Sequence, residues 1–179
     1  MAINTLLTIG HSTHPMDEFI RILKDHGVEE IVDVRSIPKS RHCPQFNMGS
    51  LDESLGRARI GYTHIQKLGG HRHSRKDSIN LGWRNASFRG YADYMATLEF
   101  SEGLDALVRI ARIRQAAIMC AETVPWRCHR SMIADAMIEK GWEVRDIMGS
   151  KPSTEHRLTP FLRVVDGQLT YPTLPEEQS

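Results

Sequence analysis

Three cysteines in 179 residues are too few, and odd in number, for a disulfide framework. No apolar run approaches the ~20 residues that a membrane-spanning helix needs. The N-terminus lacks a basic segment followed by a long apolar core, so no secretory signal is expected. Neither sign of charge dominates: 23 Lys and Arg stand against 22 Asp and Glu, and a net charge of +1 selects no partner. Neither a Walker loop nor a dinucleotide fingerprint is present. The spacing Cys120-x₇-Cys128-His129 fits no zinc finger or ribbon, and His71-x-His73 has only Asp77 nearby. There is no internal repeat and no low-complexity segment. These absences point to a cytoplasmic globular protein with its cysteines as thiols, no membrane partner, and no metal or other cofactor implied.

What is present is alternation. Thr5-Leu6-Leu7-Thr8-Ile9 reads as a strand closed by Gly10. Phe19, Ile20 and Leu23 after Pro15 read as a helix stopped at Gly27. Glu30 to Val34 is a second strand, and the capping box Ser50-Leu51-Asp52-Glu53 predicts a short helix toward Arg59. Gly61 to Ile65 is a third strand. Gln66 to Asn85 has no period, and loops of that length in compact domains are usually functional. Helical patterns return at Tyr91–Met95 and Glu102–Ile113. Then come a fourth strand ending at Met119, a helix from Ser131 to Gly141, and a fifth strand, Trp142–Ile147. Val164 to Leu169 contains the Asp-Gly turn of a β-hairpin. Residues 172–179, rich in Pro and Glu, are expected to be disordered. The fold class is therefore α/β: one compact domain over residues 1–171, with a mainly parallel sheet of about five strands, flanking helices and a C-terminal β-hairpin.

In such sheets ligands bind outside the carboxyl ends of the strands. Met119-Cys120-Ala121-Glu122-Thr123-Val124-Pro125-Trp126-Arg127-Cys128-His129-Arg130-Ser131 lies there, between the fourth strand and a helix start whose unpaired N–H groups suit an anion. Cys128 is the candidate nucleophile, because Arg127, His129, Arg130 and the helix terminus all favour a thiolate. Glu122 is the candidate general acid or base, with His11 or His129 moving protons. Arg35, Lys67, Arg72, Arg127 and Arg130 are the candidate anion ligands. Asp33, Ser12 and Cys120 support them; Cys120 reads equally well as a small apolar residue under the turn.

Charge is unevenly distributed. Eleven Lys and Arg lie between Arg35 and Arg89 against three acids. The run His71-Arg72-His73-Ser74-Arg75-Lys76, followed by Trp83-Arg84 and Phe88-Arg89, interleaves cations and aromatics as single-strand binders do. A lid over a nucleotide-sized ligand would look the same.

Thr8-Ile9-Gly10-His11-Ser12, Val32-Asp33-Val34-Arg35 with Pro38 and Ser40, Leu68-Gly69-Gly70, and Met119-Cys120-Ala121-Glu122 with Pro125 and Cys128-His129-Arg130 resemble the signature blocks of one prokaryotic family, catalogued as domain of unknown function 488. The resemblance implies a compact α/β domain and brings no reaction. A weaker similarity is to rhodanese and cysteine phosphatase domains, where a Val-Asp-Val-Arg strand precedes a strand ending in a nucleophilic cysteine. That similarity would make Cys120 the nucleophile. However, six residues separate Cys120 from Arg127, none is glycine, and Pro125 removes an amide donor. The residues point first to an enzyme acting on a phosphorylated small molecule, such as a nucleotide, nucleoside or base. The alternatives are a nucleic-acid-binding module using residues 66–89, and a thiol enzyme using Cys120. Oligomeric state is not encoded in any of these features.

Overall fold

The structure is a computed structural model and describes residues 4–175. Five strands run parallel: β1 (Thr5–Gly10), β2 (Glu30–Asp33), β3 (Gly61–His64), β4 (Ala116–Cys120) and β5 (Glu143–Ile147). A two-residue strand, β6 (Thr154–Glu155), pairs antiparallel with β5, giving the order β3-β2-β4-β1-β5-β6. β6 is too short to carry an alternation, so the sequence reading missed it. β7 (Arg163–Val165) and β8 (Gln168–Thr170) form the expected hairpin through Asp166-Gly167.

Five helices cover the sheet: α1 (Met16–Asp25), α2 (Met48–Arg57), α3 (Ala86–Tyr94), α4 (Leu98–Ile113) and α5 (Arg130–Glu139). Successive strand residues face opposite sides. Leu7, Ile9, Ile31, Ala117 and Met119 pack with Phe19, Ile22 and Leu23 of α1 and Leu51 and Leu55 of α2. Leu6, Val32, Ala116, Ile118 and Cys120 pack against α3, α4 and α5. Every residue of β4 is buried, as a strand covered on both faces requires.

Helix starts differ from expectation where local hydrogen bonds override periodicity. α2 begins at Met48 behind Asn47, so Ser50 already lies in its first turn and the capping box does not form. The 38–47 loop fixes that start: Met48 N donates to Pro38 O, and Asn47 Oδ1 accepts from Ser40 N. α3 starts well before Tyr91 because the Asn85 side chain accepts from the amides of Ser87 and Phe88.

β1 and β4 are neighbours, yet their connections leave in opposite directions. The chain from β1 crosses by α1 on one face to β2, and the chain from β4 crosses by α5 on the other face to β5. A crevice therefore opens between their carboxyl ends. Pairing continues past the sheet, with His11 N donating to Cys120 O and Ser12 N to Ala121 O. The Glu122-Thr123 backbone crosses so close over Gly10 that an added Cβ would overlap the Glu122 carbonyl, so only glycine fits.

The C-terminal segment is tied to this frame by a buried polar network. Asp135 of α5, wholly buried, accepts from Thr159 N, Thr159 Oγ1 and Tyr171 Oη, and lies 3.4 Å from His156 Nε2. Asp146 of β5 accepts from Thr8 Oγ1 at 2.6 Å and lies 3.1 Å from His156 Nδ1. Burial alone would lower the His156 pKa, but the two carboxylates raise it to about 9. Of the 172–179 tail, residues 176–179 lie outside the described residues, and Pro172, Thr173 and Leu174 are half-buried.

Because His156 binds its proton more tightly when folded, its stabilising contribution is full below about pH 6.5 and is lost as pH rises through about 9. His156→Gln should be less stable than wild type by about 3 kcal/mol at pH 6, since it leaves Asp146 and Asp135 without their cation. Urea denaturation at several pH values should show this gap narrowing toward pH 10. An unchanged gap would disprove the ionic role.

Candidate active site

Cys120 ends β4 with its side chain on the α3–α5 face and is 3 % exposed. The chain then turns through a 3-10 segment, Pro125–Arg127, and returns Cys128 to the same spot, 7 % exposed. Both cysteines are free, and the Cys128 S–H donates to Cys120 Sγ across 2.7 Å. Arg130, the first residue of α5, reaches back beneath the turn and is wholly buried. Its Nη1 donates to Cys120 Sγ at 3.2 Å and to Glu122 O at 2.9 Å, and its Nη2 to Thr123 O at 3.0 Å. Nε finds no acceptor among the described residues, and no carboxylate among them pairs with this guanidinium. The anion available to it is the Cys120 thiolate.

Burial by itself would raise the Cys120 pKa. The Cys128 S–H donor, the Arg130 charge and the Glu122 backbone together lower it to about 7. Cys128, whose S–H is held in the hydrogen bond to Cys120 and which is itself buried, is pushed well above the usual thiol range. The Arg130 guanidinium and the Cys128 S–H thus converge on Cys120 Sγ. Cationic neighbours in sequence suggested Cys128, but Arg130 folds back onto the other sulfur.

His129 precedes α5 with its ring edge against Tyr91 and its Nε2 2.7 Å from Val34 O. A carbonyl only accepts, so Nε2 carries the proton. Burial lowers the pKa to about 4, leaving Nδ1 as a bare acceptor 3.6 Å from Cys128 Sγ. Gly70 explains part of the Leu68-Gly69-Gly70 block, because a Cβ there would sit 2.6 Å from His129 Nδ1. This glycine pair makes room for a side chain.

In front of the sulfurs lies a cleft of about 560 Å³. It gathers Cys120, Cys128, Glu122, His129, Arg35, Arg72 and Arg127 of the expected set, together with Lys39, which sequence reasoning did not single out. Glu122 and Arg127 are exposed at its mouth; Lys39 and Arg127 have no ion-pair partner among the described residues. The Arg72 guanidinium lies 3.6 Å over the Tyr94 ring, with Nε donating to Gly69 O. Lys39 stands in the Pro38–Ser40 stretch of the family block, which was the one available signal.

Other expected residues have different roles. Arg35 is held by Asp33, with Nη2 to Oδ2 at 2.7 Å and Nε to Oδ1 at 2.9 Å, and by Phe46 O. Tyr62 Oη also donates to Asp33 at 2.6 Å. His11 stacks on Phe46 behind this pair, and burial lowers its pKa to about 4. Neither His11 nor Ser12 lines the cleft. Lys67 lies outside it, paired with Glu102. Arg130 lies under the floor. The helix amides are not free either: Arg127 N donates to Val124 O, Cys128 N to Pro125 O, Ser131 N to Cys128 O and Arg130 N to Cys128 Sγ. The turn therefore offers no amide cradle at these positions. In the 66–89 stretch, Trp83 packs among Phe88, Phe161 and Tyr171, so these aromatics serve the core.

Fold and site define a three-layer α/β domain with paired thiols at the switch point of its sheet. The chain belongs to the family described as Domain of unknown function DUF488, which matches residues 15–137. That range takes in three of the four signature blocks, while Thr8–Ser12 precedes it. No curated protein and no solved structure matches the chain. Among the described residues, no cluster of His, Cys, Asp or Glu could hold a metal ion, and no helix is long and apolar enough to cross a membrane.

The thiol pair should titrate as it is bonded. Followed by thiolate absorbance, Cys120 should ionise near pH 7, and Cys128→Ala, which removes its S–H donor, should move that transition toward the ordinary thiol value of ~8.5. Cys128→Ser keeps a donor and should move it less. An unchanged Cys120 titration in Cys128→Ala would refute the assignment.

Proposed function

We propose that this protein is a thiol-dependent enzyme acting on a small phosphate-bearing substrate, with Cys120 as the nucleophile. The observation that carries this reading is the convergence of Arg130 Nη1 and the Cys128 S–H on Cys120 Sγ at a cleft whose rim is cationic. Both contacts favour the Cys120 thiolate, the form that attacks. Arg130 is a positioning residue that stabilises this charge from beneath, and Cys128 does so from the side. Lys39, Arg72 and Arg127 face the cleft and suit an anionic group; 560 Å³ is in the ordinary range for a small-molecule site, large enough for a nucleotide-sized ligand.

Several turn amides donate within the protein, which argues against attack at phosphorus inside an amide cradle. The phosphate is better read as a handle held by guanidiniums, with the reacting atom a carbon or sulfur placed over Cys120. In that step the Cys120 sulfur bonds to the electrophilic atom and the leaving group departs with its electron pair. The leaving group takes its proton from water at the open mouth, where the exposed Glu122 carboxylate can orient that water. His129 Nδ1 is the acceptor nearest Cys128.

Two measurements test this reading. Inorganic phosphate or a nucleoside monophosphate should raise the melting temperature of the wild type. The double variant Lys39→Ala/Arg127→Ala should lose most of that shift with an unligated melting temperature close to wild type, because both side chains are exposed and unpaired. A haloacetamide carrying a phosphate group should alkylate Cys120 at least tenfold faster in wild type than in the double variant. Equal rates and equal shifts would overturn the proposal.

A further inference from the structure

The cleft holds two thiols where a single nucleophile would suffice, and they touch. We infer that Cys120 and Cys128 form a reversible dithiol–disulfide couple, oxidised by small hydroperoxides that enter the cleft, with Cys128 as the resolving thiol. This rests on reading Cys120 as the cleft's reactive thiol, and it adds a modification that switches that thiol off.

The geometry supports each step. Both cysteines line the cleft and each keeps a small exposed surface, the approach for a molecule the size of hydrogen peroxide. The Cys120 thiolate attacks one peroxide oxygen, the O–O bond breaks, and the departing hydroxide takes a proton to become water. Cys120 is then a sulfenic acid. Cys128 lies 2.7 Å away and His129 Nδ1 is 3.6 Å from its sulfur, positioned to take its proton. The Cys128 sulfur attacks Cys120 Sγ and expels hydroxide, which leaves as a second water. Two thiols and one peroxide thus give one disulfide and two waters. A dithiol reductant returns both electrons. Cys43, elsewhere in the core on the α1–α2 face, takes no part.

Arg130 makes this couple more than a crosslink. The thiolate is the anion facing a guanidinium that is wholly buried and has no carboxylate partner among the described residues. A disulfide carries no charge, so oxidation leaves a buried cation with only the carbonyls of Glu122 and Thr123. An unpaired buried charge is strongly destabilising, and the 121–130 turn is the part of the fold that must yield. The disulfide therefore loosens the turn that bears it.

The experiment uses the full chain, reduced and then treated with stoichiometric hydrogen peroxide. Intact mass should fall by two hydrogens, and peptide mapping should join Cys120 to Cys128 while Cys43 remains alkylatable. Dithiothreitol should reverse both changes. Cys128→Ser should instead accumulate a dimedone-reactive sulfenic acid at Cys120. At pH 8 the oxidised wild type should melt several degrees below the reduced form, and Arg130→Met should abolish or reverse that difference. A gain of oxygen at Cys120 without a crosslink overturns the couple, and an oxidised form more stable than the reduced one overturns the role of Arg130. Parallel alkylation of the reduced protein separates this inference from the proposed reaction. Fast labelling of Cys120 with no disulfide refutes only the couple. A disulfide with slow labelling refutes only the nucleophile reading, and neither event refutes both.

Discussion

A guanidinium with nowhere to go organises the working end of this molecule. Arg130 begins α5, where a cation is poorly placed against the positive end of the helix dipole, and it is sealed from water. It is accommodated because the turn before it wraps around the charge, offering two carbonyl oxygens and a sulfur. To present those groups, the backbone at Glu122 and Thr123 must lie flat over β1, which is possible only above Gly10. The Cys120 thiol is acidic for the same reason that the turn is ordered. A neutral side chain at position 130 would remove the fold's reason for both.

The cations around the cleft divide into two kinds that composition cannot separate. Arg35 and Arg130 are internal struts: one locks the end of β2 to Asp33 and Phe46, and the other locks the turn. Lys39 and Arg127 are exposed, and Arg72 lines the cleft while stacked on Tyr94. The basic excess between Arg35 and Arg89 is therefore partly architecture.

Much of this was legible in the chain. The parallel core, the five helices and the hairpin followed from periodicity because each long element has one or two well-defined buried faces. The Met119–Ser131 stretch stood out as the candidate site from its density of reactive side chains, and several of its residues line one cleft at a strand-to-helix turn. What was not legible depends on where a long side chain points after the backbone turns. Arg130 was read as a ligand for an outside anion, and its buried guanidinium donates to the Cys120 sulfur of its own loop. Cys128 was favoured by cationic neighbours adjacent in sequence, a criterion that says nothing of which sulfur the guanidinium reaches through space. Likewise Trp83 interleaves with arginines along the chain, yet it packs among Phe88, Phe161 and Tyr171. Lys39 and β6 were missed for a simpler reason, since one cation in a loop and two residues in a strand carry no pattern.

The place of β1 in the sheet has a consequence for how the molecule is made. β1, the earliest of the described strands in the chain, is flanked by β4 and β5, two of the later ones. Until residues 116–147 have been synthesised it has no partner, whereas β2 and β3 are neighbours and pair early across α2. Closing a loop of more than a hundred residues is slow compared with forming that local unit. The seam between β1 and β4 therefore joins two halves assembled separately, and the thiol turn is laid across the seam as it shuts. The Cys120–Arg130 contact therefore forms only once β4 and the start of α5 have been added to the chain.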